Sequence, residues 1–73
     1  MTITAAQCRA ARALIEMDQA TLAVAANVSR NTVVGLEKGQ RTPNPNNLAA
    51  IQRALEAAGV EFLEGGVKLR GAD

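Results

Sequence analysis

The chain has no histidine, tryptophan or tyrosine, and it has one phenylalanine and one cysteine among its 73 residues. A single cysteine excludes an internal disulfide framework, and without histidine the chain lacks an ordinary structural zinc site. The missing histidine also removes the commonest general base and the Ser-His and Cys-His nucleophile pairs. We therefore expect no enzymatic activity, no bound metal and no cofactor.

Long apolar runs are also missing, so no segment can span a bilayer, and the N-terminus carries no secretory signal. These absences predict a cytoplasmic protein with no membrane partner, in which Cys8 is a small, reduced core residue. Apolar residues make up 48% of the chain, which is too many for a disordered tail. A chain this short forms one domain and buries only about 60% of its surface, so its length alone favours oligomerisation.

Apolar spacing and capping residues predict four helices. The first, over about 5–16, follows a capping box made by Thr4 and Gln7. Its apolar stripe comprises Cys8, Ala11, Leu14 and Ile15. A fourth helix starts after the N-cap Asn44 and stops at Gly59. Its inward face comprises Leu48, Ile51, Leu55 and Ala58.

Two shorter helices lie between these. Asp18 and Ser29 are suitable N-caps for helices 2 and 3, of which helix 3 covers about residues 30–38. The connection between them is short, and the small residue Ala23 stands where they would cross. These features form a helix-turn-helix signature over about 19–38.

The end of the chain changes to a period of two around Gly65-Gly66, which predicts a β-hairpin with positive φ at both glycines. We therefore divide the chain into a helix-turn-helix domain, 1–59, and a hairpin tail, 60–73. The hairpin either joins two copies of the chain or folds back on helices 1 and 4 of its own chain. The first alternative assigns dimerisation to Val60, Phe62, Leu63, Val67 and Leu69.

The helix-turn-helix region belongs to a wider pattern of residues at fixed spacing, comprising Arg12, Gln19, Leu22, Ala23, Val28, Ser29, Val33, Leu36, Glu37, Gly39 and Pro43. On these residues the chain resembles, over roughly 4–59, the DNA-binding domain of Cro/C1-type, phage-repressor-like regulators (the XRE family). The resemblance implies an all-α fold of four to five short helices of the lambda-repressor-like type, here with a short C-terminal β-hairpin. It also implies a third helix in the DNA major groove, an ion pair between Arg12 and Glu37, and a phosphate contact by Gln19.

The predicted DNA-binding residues lie on helix 3 and around it, and they are Gln19, Ser29, Arg30, Asn31, Thr32, Val34, Gly35, Lys38 and Arg41. Arg30 can pair with guanine, Asn31 can pair with adenine, and Val34 can touch a thymine methyl group. Thr32, Lys38 and Arg41 are better placed for phosphates than for bases. Gly35 stands in the middle of helix 3. It either lets the helix approach the groove wall or indicates that this face contacts something other than DNA.

These residues predict a sequence-specific transcription regulator, by default a repressor, that binds double-stranded DNA through helix 3. Dimerisation through the hairpin would place two such helices about 34 Å apart on a near-palindromic operator. The formal charge of +1 hides a polarity: residues 1–53 carry six basic and three acidic side chains, and residues 54–73 carry two and four. The alternative function is a protein-interaction module, an anti-activator or adaptor that occupies another regulator.

Overall fold

The structure is a computed structural model that describes residues 2–71. It contains four helices followed by a two-stranded antiparallel hairpin. These elements are α1 (Ala5–Ile15), α2 (Gln19–Ala26), α3 (Arg30–Glu37), α4 (Pro45–Ala57), β1 (Val60–Leu63) and β2 (Gly66–Leu69). The predicted helical fold with a C-terminal hairpin is therefore confirmed. Within residues 2–71 no helix is long and apolar enough to cross a membrane.

The predicted N-caps stand at the start of each helix. Thr4 Oγ1 accepts a hydrogen bond from Gln7 N (3.1 Å), and Gln7 Oε1 accepts one from Thr4 N (2.9 Å), which completes the capping box. Asp18, Ser29 and Asn44 each accept a hydrogen bond from the backbone N–H group three residues further on. Residues next to each other in sequence therefore set where every helix begins.

The helix ends are also governed by local conformation. α1 ends one residue earlier than predicted, because Glu16 adopts the left-handed conformation with φ 53°. α2 ends at Ala26, and its C-cap Asn27 is left-handed with φ 57° and turns the chain sharply into α3. α3 ends at Glu37, and Lys38 is its C-cap.

The hydrophobic core lies where the four helices meet the hairpin. Its buried members are Ile3, Cys8, Ala11, Leu22, Ala23, Ala26, Val33, Leu36, Leu48, Ile51, Leu55, Val60 and Phe62. Two predicted core positions are wrong, since Leu14 is 41% exposed and Ala58 is an exposed C-cap. Leu14 lies roughly 120° around the helix from Cys8, at the edge of the apolar stripe, so it faces solvent.

The hairpin folds back onto its own chain, where it packs mainly against α1 and α4. Near its turn, Gln7 Nε2 donates hydrogen bonds to Leu63 O (2.7 Å) and Gly66 O (3.1 Å). At its open end, Arg70 Nη2 donates to Glu56 O (2.7 Å), near the C-terminal end of α4. The hairpin is thus anchored at both ends and completes the core of the chain.

The turn of the hairpin differs from the prediction. Leu63 pairs with Gly66 across the two strands, so the turn residues are Glu64 and Gly65. Gly65 has φ 73°, as predicted, but Gly66 is the first residue of β2 and does not have a positive φ. The expectation of a left-handed Gly66 is therefore wrong, because strand pairing holds that residue in an extended conformation.

Candidate nucleic-acid interface

α3 presents one side to the core and the other to solvent. Val33 and Leu36 are buried, whereas Arg30 and Asn31 are exposed and Val34 is half-buried. The helical period of 3.6 residues brings Arg30, Asn31 and Val34 onto one side, which we call the outer face of α3. The buried side chains fix the orientation of this face relative to the rest of the molecule.

Two hydroxyl residues border the outer face at the start of the helix. Ser29 Oγ accepts a hydrogen bond from Thr32 N (3.1 Å) and shares a second one with Thr32 Oγ1 (2.8 Å). Ser29 is exposed and Thr32 is half-buried. Both hydroxyls therefore take part in the N-terminal cap of α3. Each can still form a further hydrogen bond with a ligand at the surface.

Gly35, one of the predicted DNA-binding positions, is buried. A Cβ built on Gly35 would lie 3.6 Å from Arg41 Cβ and 3.8 Å from its Cγ and Cδ, so the stem of Arg41 covers the glycine. The backbone N–H groups of Gln40 and Arg41 both donate to Gly35 O, at 3.1 and 3.3 Å. Gly35 thus offers little surface of its own, while Arg41 and Lys38 are exposed beside it.

A bidentate ion pair holds the C-terminal end of α3. Arg12 Nε and Nη2 lie 2.6 Å from Glu37 Oε2 and Oε1, and Arg12 Nη1 donates to Met17 O (3.0 Å). Cys8 Sγ and Gln19 Nε2 each donate to the same carboxylate at 3.1 Å. The Glu37 side chain is only 3% exposed. Donors from α1 and α2 therefore surround it and fix α3 against both helices.

These contacts also set the charge of two buried groups. Burial raises the pKa of Glu37, but hydrogen bonds, led by that from Arg12, outweigh it and bring the pKa below its ordinary value of 4.5. Burial, together with the hydrogen bond to Glu37, raises the pKa of Cys8 to about 12. Glu37 is therefore ionised at neutral pH and Cys8 is a thiol, which is not the nucleophilic form of cysteine.

Gln19 begins α2, and part of its amide is used within the chain by the bond to Glu37. Gln19, Arg12, Asp18 and Arg30 line an open hollow of about 540 Å³ beside the N-terminus of α2. The Asp18 carboxylate accepts hydrogen bonds from Thr21, which lower its pKa, so it carries negative charge at this rim. An approaching phosphate would therefore meet one carboxylate as well as the exposed Arg30.

Sequence reasoning missed two polar anchors, Gln7 and Arg9. Gln7 was visible as a member of a capping box, but nothing local indicates a partner 56 residues away in the hairpin. Arg9 Nη1 donates to the backbone oxygen of Glu37. Its one sequence signal is the spacing of three residues from Arg12, which places both arginines on neighbouring parts of one helix surface.

The predicted dimerisation residues separate into two groups. Val60 is fully buried and Phe62 is 8% exposed, so both belong to the core of the chain itself and offer little surface for a subunit contact. Val67 is partly buried against that core. Leu63 and Leu69 remain 42% and 40% exposed.

Two short helices, α2 and α3, connected by a sharp turn, with one face of α3 open to solvent, define a helix-turn-helix protein. In the described residues 2–71 no cluster of His, Cys, Asp or Glu could hold a metal ion.

A family model described as "Helix-turn-helix" matches residues 9–62, and the chain belongs to this family, the XRE or Cro/C1 type. The match extends through α1–α4 into β1, so it includes the core residues Val60 and Phe62. No curated protein is similar enough to the chain to be matched. The chain is a DNA-binding regulator of transcription, and its partner is double-stranded DNA.

Proposed function

We propose that the chain is a sequence-specific repressor that reads the DNA major groove through the outer face of α3. The observation that carries this proposal is the exposure of Arg30 and Asn31 side by side in the first turn of α3. The N-terminal residues of a recognition helix are those that contact base edges. Arg30 can donate two hydrogen bonds to guanine, and Asn31 can form a bidentate pair with adenine.

Charge around the outer face supports the same proposal. Lys38 and Arg41 are exposed close to it, and both can neutralise phosphates. Glu37 is the acidic residue of α3, and its charge is compensated by Arg12 in the buried pair. The face therefore attracts the DNA backbone, and a protein bound in this way represses by occupying the site that another protein needs.

We further propose that two copies bind together as a symmetric dimer through the exposed hairpin residues Leu63 and Leu69. The chain's own core leaves both side chains uncovered, and the strand register puts them on opposite faces of the hairpin, so a partner chain would have to contact both faces. The hairpin packs mainly against α1 and α4, whereas α3 packs mainly against α2 and α1. Pairing at the hairpin therefore leaves both outer faces of α3 open for half-sites about 34 Å apart.

Binding-site selection followed by fluorescence anisotropy at two salt concentrations tests the DNA-binding proposal. The wild type is expected to prefer a defined duplex and to bind it with a steep negative salt slope. Arg30→Ala is expected to weaken binding and to flatten the preference at one base pair. Lys68→Ala is the control. Lys68 is exposed in the hairpin, so this variant should bind DNA like the wild type. Absence of DNA binding even at low salt would contradict the proposal.

Light scattering tests the dimer. The wild type is expected to have twice the mass of one chain, and a Leu63→Ser, Leu69→Ser variant is expected to be a monomer. Leu14→Ser is the matched control, because Leu14 is exposed to the same extent (41%) but lies on α1. Deletion of the hairpin is unsuitable, since it removes buried core residues. If the wild type is a monomer at concentrations at which it saturates DNA, the proposed dimer is contradicted.

One observation favours the alternative function, a protein-interaction module. Val24 is 81% exposed on α2, where Ala20, Thr21 and Ala25 surround it in a shallow apolar hollow. Such a patch suits contact with another protein better than contact with DNA. The anisotropy experiment separates the two functions, because an interaction module does not need to bind DNA at low salt.

A further inference from the structure

We propose that Arg41 is a third base-reading residue, which recognises a guanine next to the base read by Asn31. In this proposal the missing side chain of Gly35 leaves the space in which the stem of Arg41 packs, and we call this space the seat. This inference rests on the proposed function of the outer face of α3. It adds a residue that lies outside the helix, in the loop that follows it.

The backbone brings Arg41 back over α3. After the helix ends, the N–H groups of Gln40 and Arg41 both donate to Gly35 O, so the loop is fixed at the level of that residue. Three successive carbons of the Arg41 side chain then lie within 3.8 Å of the position that a Cβ of Gly35 would occupy. The stem therefore rests on the helix surface instead of extending freely into solvent.

The surroundings of Arg41 bring it close to Asn31. Arg41 and Asn31 together line a hollow of about 270 Å³ that also includes Val34 and Gly35. The same two residues line a second hollow, of about 290 Å³, that includes Ser29 and residues at the start of α4. Asn31 lies one turn before Gly35, so Arg41 borders the outer face between Gly35 and the start of α3.

The chemistry of this arrangement suits guanine. In the described residues 2–71 no carboxylate lies within salt-bridge distance of Arg41, so its donors are available to DNA. A planar guanidinium presents two parallel donors that match guanine O6 and N7. A glycine is unfavourable within a helix, but any longer side chain at position 35 would occupy the seat and displace Arg41.

The first test compares Arg41→Met with Lys38→Met on the selected duplex and on a panel with single base-pair changes. Each variant removes one exposed positive charge, so each is expected to reduce the salt slope by roughly one. Lys38→Met is expected to weaken binding to all duplexes equally. Arg41→Met is expected to lose, in addition, roughly tenfold discrimination at one guanine-containing pair adjacent to that read by Asn31.

The second test examines the seat. Gly35→Ala is expected to keep the base preference, because its methyl group would meet the Arg41 stem at an ordinary contact distance of 3.6 Å. Gly35→Leu is expected to lose discrimination at the same base pair as Arg41→Met. In an Arg41→Met background, Gly35→Leu should cause no further loss at that pair, since the two changes remove one interaction. Thermal melting verifies that each variant is folded.

The outcomes distinguish this inference from the function on which it rests. If Arg41→Met weakens binding uniformly across the panel, Arg41 is a phosphate contact and the inference is overturned, while sequence-specific binding through α3 stands. If Gly35→Leu and Arg41→Met have additive effects at different base pairs, the seat is overturned. If the wild type binds no duplex at low salt, the proposed function fails and the inference fails with it.

Discussion

α1 holds two parts of the molecule by different chemistry. Toward α3, Arg12 and Cys8 donate hydrogen bonds to the buried carboxylate of Glu37. Toward the hairpin, Gln7 donates to backbone carbonyl groups, and apolar side chains such as Phe62 complete the core. The orientation of α3 thus depends in part on ionised and titratable groups, whereas attachment of the hairpin depends on neutral contacts.

A buried ion pair adds little net stability, because desolvation of both charges offsets much of their attraction. The pair between Arg12 and Glu37 is more important for where α3 lies than for how firmly the chain folds. Burial of apolar surface, as at Val60 and Phe62, does add stability. The two attachments are therefore expected to respond differently to substitution and to pH.

The largest effect is expected for Arg12→Met, which leaves Glu37 buried without its partner. The free energy of unfolding, measured by urea denaturation, should fall by about 4 kcal/mol. A double variant, Arg12→Met with Glu37→Met, is the control. It should be more stable than Arg12→Met alone, because it no longer buries an unpaired charge. A double variant less stable than the single one would show that Glu37 does not act as an unpaired buried charge when Arg12 is absent.

Phe62→Ala, on the hairpin side, is expected to lower the free energy of unfolding by about 3 kcal/mol, from lost apolar burial and the resulting cavity. Leu69→Ala provides the comparison. Leu69 is already 40% exposed, so its replacement should lower the free energy of unfolding much less. DNA affinity of the folded Phe62→Ala protein should remain close to that of the wild type. A large loss of affinity in that variant would indicate that the hairpin also positions α3.

Gln7→Ala is expected to cost about 2 kcal/mol, because two carbonyl groups of the hairpin lose their donor and the capping box is broken. Thr4→Ala breaks the capping box and leaves the hairpin contacts in place, so it should cost only about 1 kcal/mol. The difference between the two variants, measured by thermal or urea unfolding, isolates the hairpin anchor. Equal costs would mean that the anchor contributes nothing.

The smallest effect near neutral pH is the pH dependence of stability, which should come from the α3 side. The pKa of Glu37 is lowered by folding, so its contribution is present above about pH 4.5 and is lost as pH falls further. The pKa of Cys8 rises from 9.0 to about 12, so stability should also fall as pH increases through that interval. Cys8→Ala should remove the alkaline loss, and Glu37→Gln should reduce the acid loss. Unchanged pH profiles in these variants would contradict the assignment.

Much of the fold could be predicted from neighbouring residues. Capping by Thr4, Asp18, Ser29 and Asn44 acts over three residues, so it is visible in sequence. The error at Leu14 has another origin, because periodicity tells which residues share a side and not which sides become covered. The error at Gly66 comes from the strand register, which makes Glu64 and Gly65 the turn residues. The covering of Gly35 by Arg41 could not be predicted, since it depends on how the loop returns over the helix.

The sequence by itself determined where the helices begin, which residues form the helix-turn-helix and which side of α3 carries polar side chains. These features depend on hydrogen bonds and backbone preferences within a few residues of the chain. Only the tertiary structure decided that the hairpin closes the chain's own core, that Glu37 accepts hydrogen bonds from α1 and α2, and that Arg41 lies across Gly35. Those outcomes depend on packing between segments far apart in sequence, where each contact exists only once the other elements are in place.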